Sequence, residues 1–156
     1  MDELKTIASF TVDHDKLEKG MYISRIDGDV VTYDVRMKKP NAGDYLTDGG
    51  LHTIEHLFAT YARNSAFESG VVYVGPMGCR TGFYLLTRDS ISHAQALELV
   101  RESMRFITEF SGEIPGGRRW ECGNYQEHDL PEAKRVAADM LNVLKGWNEE
   151  RMQYEA

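Results

Sequence analysis

Apolar positions change period along the chain, and the changes divide it into strands and helices. Met21–Ile26 and Val30–Met37 are β-branched and aromatic runs on either side of Asp27-Gly28-Asp29, which predicts a hairpin whose glycine is free to take positive φ. Thr6 to His14 reads as another short extended segment, and Lys38 to Gly50, rich in Gly, Pro, Asn and Asp, as loop. From Leu51 the period becomes helical. Leu51, Ile54, Leu57, Phe58, Tyr61 and Ala62 share one stripe, predicting a helix to about Glu68 that Gly70 stops. Val71–Val74 and Phe83–Thr87 predict strands around a Gly-Pro-Met-Gly-Cys-Arg-Thr-Gly loop. Ser92 with Gln95 three residues on is a capping box for a helix through Phe110, with Ala96, Leu99, Val100, Ser103, Met104 and Ile107 inward. Ser111 to Arg119 is loop. Asp129 and Pro131 then open a last helix that packs through Ala133, Val136, Ala137, Met140 and Leu144. Antiparallel strands packed on helices give an α+β sandwich, a single domain over residues 1–156.

Composition narrows the function. Eighteen basic against 25 acidic residues leave a net charge of −7 with no Lys/Arg block, which argues against nucleic acid and anionic membranes as partners. No apolar run approaches the ~20 residues of a membrane span, and the start, MDELKTIASF, carries no apolar signal segment. A cytoplasmic protein is expected. In that compartment Cys79 and Cys122 stay reduced, so each is a candidate for metal binding, catalysis or plain burial.

The sharpest local signal is His52-Thr-Ile-Glu55-His56 in the first helix. Positions i and i+4 leave one face a turn apart, so both imidazoles can reach one divalent ion. Glu55 sits at the edge of that face, placed to carry protons. The plain alternative is two surface histidines and a chance neighbour; H-x-x-E-H is also the inverted zinc-peptidase pattern. A third ligand is available in Cys122, which follows a flexible loop, although alone it reads as a small buried residue. A structural ion tying helix to loop stays open as well. Cys79 lies between glycines in a tight inter-strand segment, where Arg80 could favour its thiolate; taken alone, it too reads as buried. His14 and Arg36 could be substrate contacts, or a surface histidine and a solvated strand end. His93 and His128 flank helix caps and read as structural or solvent-facing.

S-F-T-V-D-H near the start, Y-D-V-R, H-T-I-E-H-L, P-M-G-C-R-T-G-F-Y and C-G-N-Y-Q-E-H-D-L-P-E-A-K together resemble the S-ribosylhomocysteine lyase (LuxS) family, in order, from about Ala8 to Leu144. The resemblance implies a metal-dependent homodimer, with its active site at the interface, that cleaves S-ribosylhomocysteine to homocysteine and 4,5-dihydroxy-2,3-pentanedione, the autoinducer-2 precursor. It implies His52, His56 and Cys122 as ligands of one Fe(II) per subunit, replaceable by Zn or Co, and Cys79 and Glu55 as general acid/bases. Ser9, His14 and Arg36 match substrate-binding positions. One departure stands out. The family usually has an aspartate before P-M-G-C that is expected to hold the substrate's amino group, and here that position is Tyr73, which carries no charge at pH 7.

Overall fold

A computed structural model describes residues 3–155; Met1, Asp2 and Ala156 lie outside it. Four strands, β1 (Gly20–Asp27), β2 (Val30–Arg36), β3 (Val71–Pro76) and β4 (Gly82–Arg88), form one antiparallel sheet in the order β1-β2-β4-β3. The predicted hairpin is present, with Gly28 at φ +61°. Three helices, α1 (Asp48–Asn64), α2 (His93–Glu109) and α3 (Leu130–Leu144), complete the α+β architecture expected from the pattern. Each has the cap its sequence offers. Thr47 accepts from Gly50 N–H, Ser92 and Gln95 form the full capping box, and Asp129 accepts from Glu132 N–H.

Side-chain alternation gives the sheet two unlike faces. Val31, Tyr33 and Val35 of β2 stand opposite Thr87, Leu85 and Phe83 of β4, all buried in one core with Ile54, Leu57 and Phe58 of α1. The intervening residues, Thr32, Asp34, Arg36, Tyr84 and Leu86, point the other way. Gly82 is needed where β4 meets the end of β2, because a Cβ there would lie 2.2 Å from the Val35 carbonyl oxygen. The C-terminal segment closes over β1: Trp147 donates through Nε1 to the Met21 carbonyl at 2.8 Å, and Tyr154 donates its hydroxyl to Asp34 at 2.7 Å.

Two expectations change. Thr6–His14 is not a strand; it contains a 3-10 turn, Ala8–Phe10. The Thr11 hydroxyl donates to the Ala8 carbonyl and Asp13 accepts from Asp15 N–H, local bonds that compete with sheet pairing. The first helix starts three residues early, because Thr47 caps it, and ends at Asn64; Glu68–Gly70 is a separate 3-10 turn.

Candidate metal centre and thiol cavity

The helical period delivers His52 and His56 to one side of α1, ring centroids 4.8 Å apart. The chain after α2 then folds back across that side. Cys122 Sγ lies 3.3 Å from His52 Nε2 and 3.9 Å from His56 Nε2. An ion about 2.0–2.1 Å from imidazole nitrogen and 2.3 Å from thiolate, at tetrahedral angles, sets nitrogen–sulfur separations near 3.5 Å. The two distances bracket that value. His128, expected to be structural or solvent-facing, joins the group: its Nε2 is 3.9 Å from Cys122 Sγ and its ring stacks on His52 at 4.1 Å. Four donor atoms, from His52, His56, Cys122 and His128, therefore lie within 4.8 Å of one another, all half-buried, and could hold a metal ion.

Partners of the outer ring nitrogens separate the histidines into two kinds. His56 Nδ1 faces the Pro115 carbonyl at 2.9 Å, an acceptor, so it carries the proton and leaves Nε2 free to ligate. His52 Nδ1 lies 2.9 Å from a Glu127 carboxylate oxygen, out of line for a formed hydrogen bond but beside an acceptor that favours the same tautomer. His128 differs. Its Nδ1 is 2.9 Å from the Thr53 hydroxyl, which already accepts from Asp129 N–H at 2.9 Å. Thr53 is fully buried, and donating its proton to His128 Nδ1 satisfies it. That places the His128 proton on Nε2, making the ring a donor toward the cluster. Burial, then the charges of His52 and His56, push the His128 pKa down to about 4, so the ring is neutral at pH 7.

Glu55, between His52 and His56 on α1, is half-buried and has no hydrogen bond or ion pair among the described residues. The carboxylate is uncommitted.

Cys79 sits elsewhere. It is exposed, which overturns the burial reading, and opens on a cavity of about 320 Å³ lined also by Ser9, His14, Arg36 and Tyr84. The cavity lies on the sheet face that the helices do not cover, and no cluster residue lines it. Arg36 is buried at 3% exposure rather than solvated. It donates through Nε and Nη2 to Asp34 at 3.0 and 2.7 Å, and through Nη1 to Thr81 at 2.8 Å. Burial works against its charge, but Asp34 outweighs that and holds its pKa above the ordinary value, with a smaller contribution from Cys79. The cation coupled to Cys79 is thus Arg36. Arg80, which adjacency had suggested, turns away at φ +59° to pair with Asp48 at 3.5 Å and lie over Tyr45. His14 faces the Val12 carbonyl through Nδ1 at 2.8 Å, which frees its Nε2 as an acceptor.

The family model for S-ribosylhomocysteinase (LuxS) matches residues 7–151. The chain belongs to the LuxS family. S-ribosylhomocysteine lyases similar to it include those of Phocaeicola vulgatus (48% identical, covering 97% of this chain and 98% of the relative), Porphyromonas gingivalis (45%, 97% and 99%) and Clostridium acetobutylicum (43%, 97% and 99%). Of the positions that the LuxS motifs single out, His52, His56 and Cys122 come together in one cluster, and Ser9, His14, Arg36 and Cys79 in one cavity. Sequence reading missed His128, Glu127, Thr53 and Tyr84. The available signals were the return of a histidine six residues after Cys122, and for Tyr84 its parity with Arg36 across paired strands. Tyr73 is 53% exposed, its ring lying over Gly75, and it does not line the cavity.

Proposed function

We propose that this chain is a single metal-dependent lyase domain that cleaves S-ribosylhomocysteine to homocysteine and 4,5-dihydroxy-2,3-pentanedione. The observation that carries the reading is the pair of half-sites just described, a His₂Cys donor set and a thiol cavity, in a member of the LuxS family. His52, His56 and Cys122 hold one Fe(II), which Zn or Co can replace, in a mixed nitrogen and sulfur set that suits all three. When bound, the ion supplies Lewis-acid stabilisation of negative charge on the sugar oxygens.

This chain's residues do the proton work. The thioether sulfur can leave only when one carbon separates a carbonyl from the sulfur-bearing carbon, so the sugar carbonyl first migrates along the chain. Each migration removes a proton from one carbon and returns one to its neighbour, and Cys79 carries it. Glu55, free of other partners, moves protons between the oxygens. In the last step Glu55 takes a proton from the carbon beside the carbonyl, that C–H electron pair becomes a carbon–carbon double bond, the carbon–sulfur bond breaks with its electron pair going to sulfur, and the protonated Glu55 returns the proton to sulfur to give homocysteine. Arg36 uses three of its five N–H groups on Asp34 and Thr81. The rest serve substrate oxygens, with Ser9 and His14.

One chain places these groups in separate locations, which supports a homodimer with the active site at its interface. Ile7 and Phe10 are exposed at 52% and 73%, Phe10 on the cavity wall, apolar surface that a second copy would cover while bringing up its metal cluster. The testing measurement is thiol release from S-ribosylhomocysteine by anaerobically purified, iron-loaded protein. Catalytic release, abolished in Cys79→Ala, is expected; no release from protein with a full complement of iron would end this reading.

A further inference from the structure

The β3–β4 turn exposes Cys79 while sending Thr81 inward, where it is 1% exposed. Arg80 N–H donates to the Met77 carbonyl at 3.0 Å, and the left-handed Arg80 between Cys79 and Thr81 turns the chain so that both side chains meet. Thr81 Oγ1 lies 3.1 Å from Cys79 Sγ and 2.8 Å from Arg36 Nη1. Among the described residues these are the hydroxyl's two partners, and they fix its proton. A guanidinium only donates, so toward Arg36 the hydroxyl must accept. Its own hydrogen is left for sulfur.

We infer that Thr81 is a positioning residue for the reaction: its hydroxyl, held as an acceptor by Arg36, donates its proton to the Cys79 sulfur and holds it as an oriented thiolate facing the cavity. The chain of bonds is directional from end to end. Asp34, 1% exposed and further bonded by Tyr154, fixes the guanidinium; the guanidinium fixes the hydroxyl; the hydroxyl fixes sulfur. Two things follow for a thiol that must take protons from carbon. A hydrogen bond to the charged form favours that form over the thiol. Because the Thr81 bond comes from within the turn, a sulfur lone pair remains for the substrate.

The inference rests on Cys79 as proton carrier, yet sulfur chemistry can be read without turnover. The experiment is the rate of iodoacetamide alkylation at Cys79, followed by peptide mass spectrometry at pH 7, which separates it from Cys122. Hydrogen bonds to charged groups are worth about 1.5–3 kcal/mol, so Thr81→Val is expected to slow alkylation by about tenfold or more. Thr81→Ser, which keeps the hydroxyl, should stay within about twofold by the same reasoning. Lyase kcat should follow the same order, with KM little changed in Thr81→Ser. Wild-type alkylation in folded Thr81→Val overturns the inference. Slowed alkylation with no lyase activity in wild type overturns the proposed function and leaves the Thr81 bond standing. Should Thr81→Val not fold, the wild-type protein decides: an NMR signal for the Thr81 hydroxyl proton with a nuclear Overhauser effect to the Cys79 β-protons supports the bond, and a proton directed elsewhere overturns it.

Discussion

The metal cluster and the thiol cavity solve one problem, orienting a reactive group, with opposite chemistry. In the cluster the atoms held are ring nitrogens, and each ring has its own partner behind it: the Pro115 carbonyl accepts from His56, the Glu127 carboxylate lies beside His52, and the Thr53 hydroxyl donates to His128. In the cavity the atom held is the Cys79 sulfur, and behind it Arg36, anchored by the buried Asp34, donates to Thr81, whose hydroxyl lies against the sulfur. The cluster is built on a helix and the loop folded over it, and its groups are half-buried. The cavity is built on the open face of a sheet, and its charges are almost fully buried. A buried pair is costly to form and more costly to break, so the cavity's geometry depends on keeping Asp34 and Arg36 together. Each half then has its own mode of failure: the cluster would fail by losing an ion it held, the cavity by losing orientation.

The greatest losses are expected at Cys79 and at the histidines of the cluster. Cys79→Ala and His52→Ala should each lower kcat by about 10²–10⁴-fold, the range for a lost proton carrier or more. If the two halves work in different subunits, mixing the two inactive variants and letting subunits exchange should restore about a quarter of wild-type activity, since half the pairs are mixed and each mixed pair keeps one intact site. No recovery in mixtures shown to exchange would place both halves in one chain.

A smaller effect sharpens the distinction among the histidines. With its proton on Nε2, His128 would donate toward the cluster instead of ligating, so His128→Gln should keep zinc with affinity lowered by about 10–100-fold, as outer partners do. His56→Ala should lose the ion on dialysis. Nitrogen-15 NMR of the zinc-loaded protein reads the same point directly: His52 and His56 protonated on Nδ1, His128 on Nε2. A His128 ring protonated on Nδ1 with zinc bound would make it a fourth ligand.

How much of this the sequence disclosed follows the same division. His52 and His56 are legible because one helical period carries both, and α2 and α3 because capping residues sit beside a clean apolar stripe. Cys122 needed the argument that two histidines want a third ligand. His128 was not legible, because its place depends on the loop after Arg118 doubling back so that Asp129 N–H reaches Gly49 and Thr53. The cavity is assembled from four segments, around Ser9, Arg36, Cys79 and Tyr84, with no spacing rule linking them; only the family's motifs brought them together. Arg36 illustrates the limit. At the end of a strand it reads as solvated, and it is buried because Asp34, two residues away on the same face, neutralises it.

The smallest effect concerns the far end of that chain of bonds, where Tyr154 reaches Asp34 from the C-terminal segment. Tyr154→Phe removes one hydrogen bond to a buried carboxylate that keeps both Arg36 bonds, so it should cost about 1–2 kcal/mol. In a chain of this size that is a fall in Tm of roughly 2–8 °C. Burial first, and then Asp34, raise the Tyr154 pKa well above the tyrosine value of 10.0. The folded state therefore holds a proton that the unfolded chain gives up near pH 10, and stability present below that pH is lost as pH rises through and beyond it. Tyr154→Phe has no such proton. Its stability deficit relative to wild type, measured by urea unfolding, should narrow between pH 9 and pH 11. A constant deficit across that range would mean that Tyr154 ionises as freely in the fold as out of it, and that its hydroxyl does not anchor Asp34.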